Sequence, residues 1–191
     1  MCSVGIYCRR DFYSPPVNGG ATTMEIKIKD RYKTWDKSRS NRLSNYGYSK
    51  DRPIHVTICT DNKEKIFNSE ANAKIVISEL LKIVKDLKFR ILCYCLMPDH
   101  LHVIVSPGET TLPLSKFLNV FKGKTAAVLK DKENLRKIWQ ISAFDHVIRT
   151  EENLKTVIEY IMNNPVRKGI VGKADDYSYS EWFDVEIQRY L

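Results

Sequence analysis

Two apolar runs joined by a Pro-Asp pair constrain the fold of this chain most. The runs are Phe89–Met97 and His100–Ser106, and only Pro98 and Asp99 separate them. Proline followed by aspartate is typical of tight turns, so the pattern predicts two antiparallel strands joined as a hairpin. Side chains alternate between the two faces of a strand. The second strand therefore turns its leucine and valines towards a core and its histidines to the other face.

The histidines of this strand are the first candidates for chemistry. His100 and His102 are two residues apart, and the chain holds only four histidines in 191 residues. Two imidazoles side by side on one sheet face can chelate a divalent metal ion. A half-solvated strand gives the same alternation of polar and apolar residues without any function. The pair alone does not decide between these interpretations.

The remaining periodicities predict a complete α+β domain. Alternating β-branched residues favour strands, apolar residues three and four apart favour helices with one buried face, and Pro165 disfavours helical geometry in the residue before it. The predicted elements are a strand at 54–59, a helix from 68 or 69 to about 88, the hairpin, a helix at 111–130, a strand at 144–149, and a helix capped by Thr150 and ended by Asn164. The order β-α-β-β-α-β with an additional C-terminal helix is that of a ferredoxin-like sandwich.

The first fifty residues differ from this pattern. Residues 1–52 lack a sustained period, and their second half mixes lysine and arginine with tryptophan and tyrosine. We expect a basic, flexible N-terminal extension at 1–52 and one folded domain at 53–191. An arm whose rings stack on nucleic-acid bases and a plain linker both fit this composition. Met24 is a second candidate for the start codon.

Charge and cysteine content indicate the type of partner and the redox compartment of the protein. The formal net charge is +8, which favours a polyanionic partner such as nucleic acid, although a generic basic surface gives the same number. The five cysteines are odd in number and form no zinc-type pairs, so we expect free thiols in a reducing cytoplasm. The sequence has no apolar run of membrane-spanning length, and we expect no membrane partner.

The last predicted helix supplies a second candidate. Tyr160 and Asn164 are four residues apart and so share one helical face. A phenol and an amide oxygen on that face could both reach a metal site on a neighbouring sheet. A tyrosine packed at the edge of the core is the alternative interpretation.

Three blocks of sequence together resemble the single-tyrosine HUH transposases, and among them the REP-associated tyrosine transposases. The blocks are Cys95–Val105, Ile138-Trp139-Gln140 with Phe144–Arg149, and Tyr160–Val171, while Ile54–Thr57 and Asp176–Trp182 resemble the opening and closing segments of the family. The resemblance covers roughly residues 53–183. Asp99 stands where asparagine is common in the family, and Phe144 where histidine is common. These departures leave the DNA sequence that the chain recognises open.

The resemblance implies a mechanism. His100, His102 and Asn164 would hold Mg²⁺ or Mn²⁺, and Tyr160, on the catalytic helix, would attack the scissile phosphate. The products would be a 5′-phosphotyrosine and a free 3′-OH. The implied partner is single-stranded hairpin DNA with palindromic repeats, and the oligomeric state, monomer or homodimer, stays open.

Basic residues mark the predicted DNA surface. Residues 113–140 hold seven lysines and arginines against two acidic residues, and such residues give affinity for phosphates without reading sequence. A solvated helix face is the alternative. The candidate DNA-binding residues are Lys116, Lys122, Lys124, Arg149 and Arg167.

Three other classes of protein stay open at this stage. One is a ferredoxin-like module that only binds single-stranded nucleic acid, although no strand here carries the aromatic motif of an RRM. Another is a domesticated, inactive relative that acts as a regulator. The third is an HUH replication initiator or relaxase, although the chain shows no helicase-like region.

Overall fold

The strands and helices follow the predicted order. The computed structural model describes residues 52–133, 137–148 and 154–190. Its main elements are β1 (Ile54–Cys59), α1 (Glu70–Asp86), β2 (Arg90–Met97), β3 (His100–Ser106), α2 (Leu114–Glu133), β4 (Phe144–Val147), α3 (Leu154–Met162), α4 (Asn164–Arg167), β5 (Ser180–Trp182) and α5 (Asp184–Ile187).

One antiparallel sheet organises the domain. The strand order is β4-β1-β3-β2-β5, and every pairing between these strands is antiparallel. The hairpin of β2 and β3 closes through Pro98 and Asp99, with Met97 opposite His100. The ferredoxin-like α+β fold predicted from the sequence is confirmed, and β5 is an addition at the edge next to β2.

The sheet is covered by helices on both faces. On one face, alternate residues of the strands pack with α1 and α2 around Val56, Val103 and Phe117. On the other face, Cys95 and Ile104 pack with α3. Because side chains alternate along a strand, His100 and His102 lie on the same face as Ile104 and therefore on the α3 side.

An irregularity in β2 fixes which of its residues face α3. The register of β2 against β3 shifts between Ile91 and Cys93, as it does where one strand carries an extra residue. After the shift, Cys93 and Cys95 face the same way as Ile104 and join the core beneath α3. Met97, two residues further on, belongs to the same cluster and lies opposite His100.

Several helix boundaries in the structure differ from those predicted from the sequence. The helix expected from residue 111 begins at Leu114, because Pro113 disfavours helical geometry in the residue before it. The last long helix ends at Met162 rather than Asn164, which instead begins the short α4 with Pro165 in its first turn, where proline is well tolerated. β5 was not predicted. Residues 1–51, Arg149 and Thr150 lie outside the described residues.

The described cysteines are free thiols. Cys93 and Cys95 are buried, and Cys59 is half-buried. Burial raises the pKa of the Cys95 thiol to about 12 and raises that of Cys93 further, so neither thiol is a reactive thiolate at neutral pH. Within the described part of the chain, no helix is both long enough and apolar enough to span a membrane.

Two glycines allow a matched test of the fold. At Gly108 the backbone φ is +62°, and an added Cβ would lie 2.7 Å from the carbonyl oxygen of Lys88. We expect Gly108→Ala to lower the free energy of unfolding by about 1–3 kcal/mol, because both the backbone conformation and the contact are unfavourable. Gly123 lies in α2, and beyond the backbone of its own helix an added Cβ there would have nothing within 4 Å. Gly123→Ala should therefore raise stability by about 0.5–1 kcal/mol.

Urea denaturation of the two variants and the parent measures both changes. Shifts of the same sign in the two variants would contradict this description of the loop after β3.

Candidate functional site

All four histidines of the chain share one face of the sheet. His55 lies on β1, His100 and His102 on β3, and His146 on β4. Direct register pairs join His55 to His146 and Thr57 to His102. Because residues paired across antiparallel strands point to the same face, the four rings form a row on the α3 side.

The two histidines of β3 turn their outer nitrogens towards each other. Nε2 of His100 and Nε2 of His102 are 3.1 Å apart, and the rings are nearly perpendicular at 88°. His102 is only 9% exposed. A half-solvated strand does not bury such a ring, so the burial of His102 argues against that interpretation.

The remaining nitrogen of His102 also has polar neighbours. Its Nδ1 lies 3.0 Å from Oγ1 of Thr57 and 3.2 Å from Nε2 of His55. His55 is fully buried. Burial and the nearby His146 lower the pKa of His55 to about 3. Burial, together with the neighbouring His100, His55 and Arg167, holds the pKa of His102 well below its usual value.

Both buried rings are therefore neutral at neutral pH. A neutral imidazole keeps one nitrogen lone pair, and this lone pair is what a metal ion binds. His102 is thus in the protonation state that metal coordination needs.

Asp99 is a site residue that the sequence analysis missed as such. Its carboxylate accepts a hydrogen bond from Nδ1 of His100, and this bond lowers the pKa of Asp99. A carboxylate that accepts from one ring nitrogen leaves the lone pair on the other, as in many metal-bound histidines. The available signal was the acidic residue directly before His100.

The donor geometry fits a divalent ion. Two ligands at right angles with metal–ligand bonds of about 2.1 Å are about 3.0 Å apart, and the two Nε2 atoms are separated by 3.1 Å. Among the described residues, no three His, Cys, Asp or Glu side chains converge on one point. An ion held by the pair would therefore take its other ligands from amide oxygen, phosphate or water.

Asn164 offers such an oxygen. It is 6% exposed, and its amide nitrogen donates to the carbonyls of Tyr160 at 3.0 Å and Ile161 at 3.2 Å. The bonds to the end of α3 fix the side chain and leave the amide oxygen to bind a ligand. These bonds place the Asn164 side chain beside the last turn of α3, the helix that carries Tyr160.

Arg167 links the helix to the sheet. Its guanidinium carbon lies 4.4 Å from the centre of the Tyr160 ring, in cation–π geometry. The same charge contributes to the lowered pKa of His102. Tyr160 itself is half-buried against the core cluster that contains Met97, the residue opposite His100. A phenol, a guanidinium and two imidazoles thus occupy one region, and such a set suits nucleophilic attack on a phosphodiester.

The predicted DNA-binding residues lie in different surroundings. Lys116 and Lys124 are exposed on α2, and Arg167 is exposed beside Tyr160. Lys122 is half-buried, and its Nζ donates to the carbonyls of Gln140, Ile141 and Ser142 at 2.9–3.1 Å. Its ammonium therefore anchors the segment before β4. Arg149 lies outside the described residues.

Comparison with known proteins gives consistent matches. A family model described as "Transposase IS200 like" matches residues 48–164. An uncharacterised protein of Haemophilus influenzae is 27% identical over 158 residues, which are 67% of this chain and 88% of that relative. A REP-associated tyrosine transposase of Escherichia coli is 28% identical over 114 residues, 59% of this chain and 65% of that protein. The match to the Escherichia coli protein thus spans just under two thirds of its length.

A solved structure shares the fold. It is described as a REP-associated tyrosine transposase bound to a REP hairpin, and it superposes with a TM-score of 0.63 at 22% identity. The superposition covers 81% of this chain and 87% of that one.

Lys122 and Lys124 form a matched pair for testing the anchor. We expect Lys122→Met to lower the free energy of unfolding by about 1–3 kcal/mol, because three carbonyls lose a charged donor. Lys124 is exposed two residues away, and Lys124→Met should change stability by less than about 0.5 kcal/mol. Chemical denaturation of both variants makes the comparison. Equal stability of the two would mean that the Lys122 contacts do not anchor the segment.

Proposed function

The chain belongs to the IS200-like transposase family, and from this membership we propose that it cleaves and rejoins single-stranded DNA next to hairpins through a covalent tyrosine intermediate. The observation that carries the proposal is the grouping of Tyr160 and Arg167 with the histidine pair. A DNA-binding module that performs no chemistry has no need of a nucleophile beside two imidazoles.

Tyr160 is the proposed nucleophile. Its phenolic oxygen forms a bond to phosphorus, and the bond from phosphorus to the 3′ oxygen breaks. The phenol proton leaves to solvent or a nearby acceptor, and the 3′ oxygen takes up a proton as a free hydroxyl. Because the phosphotyrosine keeps one phosphoester bond for each one broken, the reverse attack by a 3′-OH rejoins DNA without ATP.

Arg167 would assist this attack. A tyrosine phenol ordinarily ionises near pH ~10, so a developing phenolate at neutral pH gains from a cation close by. The Arg167 guanidinium lies 4.4 Å from the Tyr160 ring centre. It is also exposed, so it can contact a DNA phosphate.

His100, His102 and Asn164 are the proposed ligands of Mg²⁺ or Mn²⁺. When bound, such an ion would neutralise charge on the scissile phosphate and supply electrophilic assistance there. The protein's part is to present two imidazole nitrogens and one amide oxygen from rigid elements. Hard ions such as Mg²⁺ and Mn²⁺ accept oxygen and imidazole ligands.

The proposed substrate is a DNA hairpin with a single-stranded flank. The solved relative with the same fold is described as bound to a REP hairpin, which supports this class of substrate. Lys116, Lys124 and Arg167 supply exposed positive charge for phosphates. Contacts of this kind predict binding that weakens as salt concentration rises.

Tyr160→Phe tests the nucleophile. The change removes one oxygen and keeps the ring, so packing against the core and Arg167 should persist. We expect the variant to bind hairpin DNA like the parent but to form no covalent protein–DNA adduct on a denaturing gel. Tyr177→Phe is the control, because its hydroxyl donates to the carbonyl of Leu96 at 2.6 Å and is thus already engaged by the backbone.

An adduct in Tyr160→Phe would assign the chemistry to another residue. If the parent forms no adduct with any hairpin from its own locus, the chain would instead be a DNA-binding relative without cleavage activity.

His100→Ala and His102→Ala test the proposed metal dependence. Each should reduce Mg²⁺- or Mn²⁺-dependent cleavage of a single-stranded hairpin to background while leaving hairpin binding in EDTA measurable. Asn164→Ala should cost less, because water can replace a neutral oxygen ligand. Circular dichroism checks that the buried His102 can be changed without loss of the fold. Parent-like cleavage by a folded variant of either histidine would show that the ligands are misassigned.

A further inference from the structure

We propose that His55 and Thr57 are positioning residues that hold the His102 ring in the orientation and tautomer required of a metal ligand. The proposal rests on the proposed function, because it concerns the same metal site. It adds two residues of β1 that bind neither the metal ion nor the DNA.

The geometry sets these residues apart from the ligands. Nε2 of His102 is directed towards His100 at 3.1 Å, whereas Nδ1 of the same ring faces Thr57 at 3.0 Å and His55 at 3.2 Å. The opposite side of the ring is thus held by β1. Nε2 of His55 faces this rear nitrogen of His102, so His55 is placed to support the ligand rather than to act as one.

The sheet makes the support rigid. Thr57 is the direct register partner of His102, and His55 is paired with Ile104, the next residue of β3 on the same face. Both supporting groups therefore sit on a strand that is hydrogen-bonded along its length to the strand that carries the ligand. His55 is fully buried, and its ring packs 5.3 Å from that of His102, centre to centre.

The chemistry of a neutral imidazole explains why support is needed. A neutral ring carries one proton, on either Nδ1 or Nε2. Metal binding through Nε2 requires the proton on Nδ1, and this N–H then needs an acceptor because the ring is buried. Oγ1 of Thr57 and Nε2 of His55 are the two acceptors within reach. Together they stabilise the tautomer that leaves the Nε2 lone pair for the metal ion.

The two ligands are thus supported by different chemistry. His100 donates its Nδ1 proton to a carboxylate, Asp99. At the Nδ1 atom of His102, the supporting groups are instead the Thr57 hydroxyl and the neutral ring of His55. Supporting groups of this kind orient metal-bound histidines, and their loss commonly weakens metal affinity by about 10–100-fold.

The test measures Mn²⁺ affinity of the full chain without DNA, by isothermal titration calorimetry. We expect His55→Leu and Thr57→Val each to weaken Mn²⁺ binding by about tenfold or more. His55→Gln keeps a hydrogen-bond acceptor close to the position of the imidazole Nε2 and should restore affinity to within about threefold of the parent. His146→Gln, which changes a histidine one strand further away on the same face, should leave affinity unchanged.

A second readout follows the tautomer itself. In the Mg²⁺-loaded protein, long-range ¹H–¹⁵N spectra of the histidine rings should show the His102 proton on Nδ1. In Thr57→Val and His55→Leu this preference should weaken. A purely structural role would change thermal stability without moving the tautomer signals, so the two roles are distinguished.

His102→Ala separates this proposal from the proposed function. If His102→Ala abolishes Mn²⁺ binding but Thr57→Val and His55→Leu bind like the parent, the positioning role is wrong and the metal site stands. If His102→Ala itself binds Mn²⁺ like the parent, the metal site is wrong and the positioning role falls with it. Should the buried His55→Leu fail to fold, Thr57→Val decides alone, because valine nearly matches threonine in shape.

Discussion

The pairing of β1 with β3 is the interaction on which the rest of the site depends. The register runs without interruption from Ile54 opposite Val105 to Cys59 opposite His100, in the middle of the sheet. A slip by one residue would exchange the two faces of β1. It would bury Val56 among the histidines and turn His55 and Thr57 into the apolar core beneath α1 and α2. The same alternation that builds that core therefore delivers the polar groups to His102.

The α3 side of the sheet combines two kinds of packing. Near β2 it is apolar, with Cys95 and Met97 in the core cluster. Near β1 it is polar but still buried, and buried polar groups cost stability unless they are hydrogen-bonded. His55, Thr57 and His102 meet this requirement largely through one another. Burial keeps the rings neutral and the mutual bonds hold them still, and both properties favour a metal ligand over a solvated surface histidine.

Residue periodicity and turn residues predicted much of this structure, and the features that they did not predict have physical explanations. Period-two alternation and the Pro-Asp pair were enough for the β2–β3 hairpin and for the shared face of its histidines. The contact of His55 with His102 joins residues 47 apart in sequence, and only the register of β1 against β3 reveals it. β5 has three residues, too few to show a period. The sequence shows that Lys122 is charged, but it does not show that three backbone carbonyls from residues 140–142 accept hydrogen bonds from its ammonium.

The sheet and the helix of Tyr160 come together through Arg167. Residues seven apart in a regular helix are separated by about 10.5 Å along its axis. Contact with Tyr160 therefore requires a long side chain that reaches back towards the helix N-terminus, the direction in which Cα–Cβ bonds tilt. Pro165 lacks a backbone donor, and the helix is divided between the two residues, so Arg167 belongs to the separate short helix α4. Since its charge acts on both Tyr160 and His102, movement of this short segment would alter both halves of the site together.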